Sequence, residues 1–153
     1  MSFNETQKFS SKILWFMRVS LVLTLLVLLS AFFLAGDANN GLILSLIALI
    51  CVPVFLILEF CQLKTKIDAK GIDLNFRPFT RKYYAWADVQ DAKLINYGFV
   101  GGWGIRMTLK YGTVYNTQGQ EGVLLTMKTG KKIVIGTQRK TAMQAALNKF
   151  FKA

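Results

Sequence analysis

Two long apolar runs limit what this chain can be. Ile13 to Ala35 carries a single charge, Arg18, near its start, and Leu42 to Leu58 carries none. About 17 uncharged residues follow Arg18 and the second run is about as long, so each is roughly 25 Å as a helix at 1.5 Å per residue. That suffices for a hydrocarbon core of about 30 Å once a few interfacial residues or slight thinning are added. Only Gly36-Asp37-Ala38-Asn39-Asn40 and Gly41 lie between the runs, enough for a turn and too little for a domain. The expectation is a transmembrane helical hairpin over 13–62, with spans at about 13–35 and about 41–60. Pro53 would kink the second span. With only Thr24, Ser30 and Ser45 as polar groups inside it, the pair makes a poor ion pathway.

Charge gives this anchor a direction. The formal net charge is +11. Lys8, Lys12 and Arg18 cancel against Glu5, Asp37 and Glu59, so the whole excess falls in residues 64–153. In a soluble chain that would point to nucleic acid. Here the positive-inside bias accounts for it first, and nucleic acid is disfavoured as a partner. The loop between the runs has an acid and no base while both outer flanks are basic, which places both termini in the cytoplasm. A cleaved signal peptide is the rival reading of the first run, but its apolar part exceeds the usual length of about 7–15 residues and no clean A-x-A site follows. Residues 1–12 read as a short cytoplasmic tail, with a brief interfacial helix on Phe9, Ile13 and Phe16 as the alternative.

Reactive groups are sparse. The chain has no His, and Cys51 and Cys61 share neither a helix face nor a metal-ligand spacing. Asp88 and Asp91 are near in sequence, but Asp88 suits a turn bond to backbone. Gly102-Trp103-Gly104 lacks the third glycine of a dinucleotide loop, since position 107 is Met. No catalytic residue, metal or cofactor is expected, and the chain reads as non-enzymatic.

After Lys64 the period changes. Ile72, Leu74 and Phe76 alternate with Asp73 and Asn75, the signature of a half-buried strand, and Pro78 ends it. Further short segments bounded by glycine follow to Gly136, with Thr129-Gly130 as a hairpin turn. Ala142, Met143, Ala146, Leu147 and Phe150 then fall on one helix face, with Thr137 as a cap for its start. Residues 64–153 thus read as about seven strands in a barrel or sandwich and one C-terminal helix, making the chain an α+β membrane protein.

Trp86-Ala87-Asp88-Val89, Gly102-Trp103-Gly104-Ile105-Arg106, Tyr115 with Gly119 and Gly122-Val123, Gly130-Lys131-Lys132 and Ile135-Gly136-Thr137 carry a likeness. Over 64–153 the chain resembles small bacterial membrane proteins with a two-helix hairpin and a pleckstrin-homology-like (PH-like) domain. That resemblance implies a cytoplasmic domain tethered to the bacterial inner membrane and devoted to scaffolding or protein interaction. Eukaryotic relatives bind phosphoinositides through a basic first strand-to-strand loop, and Lys66 and Lys70 do not make such a cluster here.

Two candidate surfaces emerge. The stretch from Gly98 to Arg106 offers Phe99, Val100 and Trp103 to a partner or the bilayer, with Arg106 as a directed donor; its bland reading is a glycine turn. Arg77, Arg81 and Lys82 lie among Phe79, Tyr83 and Tyr84, a composition suited to anionic lipid headgroups, against the bland reading of a charge-protected strand edge. The leading expectation is a membrane-anchored module that localises or scaffolds a protein partner. The alternatives are a sensor of anionic headgroups and an accessory subunit of a membrane enzyme or transporter complex.

Overall fold

The computed structural model describes residues 2–35 and 38–151. The chain divides into two units, Met1–Phe9 with Gln62–Ala153 and, between them in sequence, Ser10–Cys61. Gly36 and Asp37, at the centre of the expected turn, lie outside the described residues.

The inserted unit is two helices, α1 (Ser11–Ala35) and α2 (Ala38–Phe60), packed along each other. α1 is apolar on every side, so it has no face suited to water. Its Ser11–Ala31 stretch, of mean hydropathy 2.3, is long and apolar enough to cross a membrane. Within α2 the described apolar stretch is the shorter Ser45–Phe60, and Pro53 lies inside the helix. Arg18 near the start of α1 forms an ion pair with Glu59 near the end of α2, so the helices run in opposite directions. Thr24 and Ser30 donate their hydroxyls to backbone carbonyls within α1, at 2.8 Å to Ser20 and 2.9 Å to Val27. These two hydroxyls are thereby satisfied without water.

The other unit contains two sheets. Strands β1 (Phe3–Lys8), β2 (Gln62–Ile67), β3 (Gly71–Arg77) and β4 (Thr80–Ala85) form the first, antiparallel throughout in that order. The turn between β2 and β3 is built by Asp68, whose carboxylate accepts from the amides of Lys70 (3.0 Å) and Gly71 (3.2 Å). A 3-10 turn, Trp86–Asp88, leads to β5 (Val89–Asn96), followed by β6 (Gly104–Thr108), β7 (Gly112–Asn116), β8 (Glu121–Met127) and β9 (Lys132–Gly136). These pair in the order β5-β8-β9-β7-β6, with β7 and β9 parallel. Helix α3 (Lys140–Phe150) follows and buries Met143, Ala146 and Leu147 against β1, β2, β5 and β8. The core draws Leu63, Ile67, Ile72, Leu74 and Phe76 from the first sheet and Val123, Leu125, Ile133 and Ile135 from the second.

Three expectations change. Residues 1–12 are not a free tail: β1 pairs with β2 from Phe3↔Ile67 to Lys8↔Gln62, so the domain is assembled from both sides of the helical insertion. Among the described residues nine strands stand, β1 included, where about seven were expected over 64–153, and one strand pair is parallel. The helix start also differs. Arg139, not Thr137, takes the cap position of α3, and Thr137 instead accepts from the Arg139 amide (3.0 Å) while donating to Glu5 (2.7 Å). Glu5 also accepts from the Gln138 amide at 2.9 Å, and Gln7 donates to the Gly136 carbonyl at 2.7 Å. The alternating buried face of β1 (Phe3, Glu5, Gln7) thereby clasps the β9–α3 junction.

Candidate interaction surface

β6 is the outer strand of the second sheet, so one of its edges pairs with β7 and the other is open. Register partners share a face: Ile105 stands beside Tyr115 and Met107 beside Thr113, while Arg106 stands beside Val114 on the opposite face. Tyr115 and Val114 are both buried, yet their neighbours on β6 are not. Met107 is 90% exposed, and Ile105 and Leu109 are exposed with it. Strand edges are normally guarded by charge, proline or a bulge. Here Arg106 is the one charge on β6.

The loop entering β6 is held by its own chemistry. Tyr97 is buried, its amide donates to the Gln120 carbonyl (2.9 Å), and Asn96 accepts the Gly98 amide (2.9 Å). Val100 packs on a cluster of Tyr97, Val114, Leu124 and Val134. Val100 therefore anchors the loop instead of being presented by it. Phe99 and Trp103 remain outside, at 75% and 41% exposure. Gly102 has φ +126°, and a Cβ there would meet the Arg106 guanidinium at 2.9 Å. The glycine run thus serves both a backbone conformation barred to L side chains and the close approach of Arg106. Arg106 lies back over the loop, not freely outward.

The polar interior near this surface is desolvated. Burial pushes the Tyr97 phenol up, against the opposing hydrogen bond from Asn116 (3.4 Å). Burial, then the neighbouring Tyr115, pushes the Tyr84 phenol up as well. The Asn116 Oδ1 is buried with no hydrogen-bond partner. Among the described residues no three His, Cys, Asp or Glu side chains gather as metal ligands.

The three cations expected to act together do not share one surface. Arg81 and Lys82 are consecutive in β4 and so point to opposite faces. Arg81 is exposed on the outer face but neutralised by Asp73, through bonds of 3.1 and 2.7 Å. Lys82 lies on the face turned to the second sheet, 5.8 Å from the Tyr115 ring centroid. Arg77 is exposed at the end of β3, with Phe79 in the following turn. The period-two rule applied to Arg81-Lys82 could have separated them in advance. Ile105, Met107 and Leu109 were missed for a different reason: alternating apolar residues read as a core strand, whereas β6 lies at the sheet edge and Leu109 falls in the turn after it. No family model and no curated protein matches this chain.

Proposed function

We propose that the chain is a membrane-anchored, non-enzymatic interaction module of PH-like type that holds a protein partner at the cytoplasmic face of a bacterial cell membrane. The observation that carries the docking role is the open β6 edge with Ile105, Met107 and Leu109 exposed beside Phe99 and Trp103. Interfaces favour such aromatic and Met-rich patches with few charges at their centre. The partner presents an apolar strand or helix face to it.

The anchoring half has separate support. Strands β1 and β2 flank the helices in sequence and pair over six residues. Paired strands occupy one compartment, so a chain that crosses the bilayer in α1 has to return in α2 as a transmembrane hairpin. Cleavage after α1 as a leader would remove β1 and its buried Phe3, Glu5 and Gln7. Trp15, Phe16 and Phe60 are exposed where the helices begin and end, a place that suits aromatic rings at headgroup level. The single acid of the 36–40 loop and the basic 64–153 region favour cytoplasmic termini. The PH-like reading is supported by order: with β6–β7 set aside as an added hairpin, β1–β4, β5, β8 and β9 give seven strands followed by one helix.

A photo-crosslinking residue at Met107 in the full-length chain, purified in mild detergent, tests the docking role. The expected result is one stoichiometric companion, lost when Ile105→Lys and Leu109→Lys are added. A chain that crosslinks to nothing at Met107 in its own cells overturns the reading.

A further inference from the structure

The outer face of the first sheet carries an ordered charge pattern that the β6 surface does not use. Alternation places Asn4, Thr6 and Lys8 of β1 on this face, opposite the buried Phe3, Glu5 and Gln7. Register then puts Lys8, Gln62 and Arg77 in one row, and Thr6, Lys64, Asn75 and Arg81 in the next. With strands about 4.8 Å apart, Lys8 and Arg77 stand about 10 Å from each other.

The cations differ along the strands. Lys66 pairs with Asp68 (3.5 Å) at the far end, and Arg81, in the row of Lys64, pairs with Asp73 one row farther along (2.7 Å). Among the described residues Lys8, Lys64 and Arg77 pair with no carboxylate. Lys70, in the β2–β3 turn at the far end, also has no carboxylate partner, so three of these four cations stand toward the end where the chain leaves for the helices. Only Phe9 and Ser10 separate Lys8 from the first residue of α1. Three extended steps span at most about 11 Å, comparable to a screening length of about 8 Å at physiological salt. Covalent connection alone thus keeps Lys8 within electrostatic reach of the point at which α1 would meet headgroups. The Arg77 turn adds Phe79, 54% exposed at the rim of the sheet, its ring tilted at 6.0 Å from that of the core residue Phe76. A shallow cavity of about 200 Å³ on the same face is lined by Asn4, Thr6, Lys64, Lys66 and Asn75, side chains able to bond phosphate oxygens, and also by Glu5 and by Asp73, whose carboxylate is paired with Arg81.

We propose that this face is a lipid-contact surface: Lys8, Lys64 and Arg77, with Phe79 beside them, bind anionic phospholipid headgroups and hold the domain down on the bilayer that anchors it. The inference rests on the anchoring reading above. An acidic protein would fit charge of this sign, but the gradient toward the anchor favours the membrane. It replaces the trio Arg77, Arg81 and Lys82 with a set chosen by strand register.

The test uses the full-length chain carrying Thr6→Cys, in nanodiscs of phosphatidylcholine alone or mixed with phosphatidylserine. The readout is the rate at which an uncharged polyethylene-glycol maleimide modifies the introduced thiol, with the parent chain as background. Labelling is expected to slow several-fold in the anionic discs, to recover in high salt, and to lose its lipid dependence with Lys8→Gln, Lys64→Gln and Arg77→Gln together. Ala145→Cys, exposed on α3, serves as the internal reference and is expected to be indifferent to lipid. Equal rates at Thr6→Cys in the two discs overturn the inference while leaving the anchor standing. Slowing that survives the triple substitution, or that appears equally at Ala145→Cys, overturns it too, as does protection by soluble polyglutamate with none by phosphatidylserine. A chain that never enters the discs overturns the anchoring reading and this one with it.

Discussion

Glu5 is a buried carboxylate whose partners are the Thr137 hydroxyl and the Gln138 amide, contributed from the other end of the chain. Hydrogen bonds to a charged acceptor contribute about 1.5–3 kcal/mol each. Glu5→Ala is therefore expected to destabilise the domain by about 3 kcal/mol, read as a lowered thermal midpoint of the full-length chain in detergent. Thr6→Ala, on the exposed face, is the comparator; an equal effect from both would deny the clasp. A second residue-scale effect is acid dependence. The Arg81 guanidinium holds the Asp73 carboxyl below the usual carboxylate range, and the Asp73 carboxylate raises Arg81 in return. A depressed folded pKa gives stability that is present above the unfolded value, about 4, and lost as pH falls through the folded one. The pair is solvent-facing, so its effect is small. Asp73→Asn should lower the unfolding midpoint slightly near neutral pH and flatten its decline in acid. A decline of unchanged steepness would locate the acid sensitivity elsewhere.

Among the elements, β1 decides what can be separated from what. Lys8 and Gln62 are direct register partners, the last pair before the chain departs into the helices. Replacing residues 9–61 by Asn-Gly should therefore close β1 and β2 as an ordinary two-residue hairpin and yield a folded domain that needs no detergent. A fragment beginning at Gln62 lacks the β1 edge, exposes the inner face of β2 and leaves Thr137 and the Gln138 amide without Glu5; it should aggregate or remain unfolded. Dispersed amide resonances from the joined chain, and their absence from the fragment, are the outcomes to look for. Equal folding of both would make β1 an ornament. β1 was illegible in the sequence for a physical reason. Its buried positions are Phe3, Glu5 and Gln7, so burial does not follow polarity, and its partner lies beyond two helices. The helices themselves were legible because uniform hydropathy needs no partner to be read, and expected spans of 13–35 and 41–60 compare with Ser11–Ala35 and Ala38–Phe60. β3 and α3 were legible from period alone. At the candidate surfaces Phe99, Trp103 and Arg77 stand exposed, while Val100 and the facing of Lys82 required the tertiary register.

For the whole molecule, the pairing of β1 with β2 is the strongest constraint on topology. Strand neighbours stand about 5 Å apart, whereas a bilayer core is about 30 Å thick. A single crossing by α1 would leave Lys8 and Gln62 on opposite sides and forbid a sheet that buries Phe3, Leu63 and Ile67 together. Hydropathy alone favours α1 as a span more strongly than α2, whose described apolar stretch is shorter. The sheet supplies what hydropathy lacks, because an even number of crossings follows once α1 is embedded. Single thiols introduced by Ser2→Cys, Asn39→Cys and Ala145→Cys, labelled with an impermeant maleimide in spheroplasts, read that parity directly. Asn39→Cys is expected to react in intact spheroplasts, and the other two only after permeabilisation. Reaction at Ser2→Cys from outside with Ala145→Cys protected would mean a single crossing and would break the β1–β2 sheet. All three protected until permeabilisation would mean that neither helix crosses, and the apolar pair would then need a protein partner to cover it.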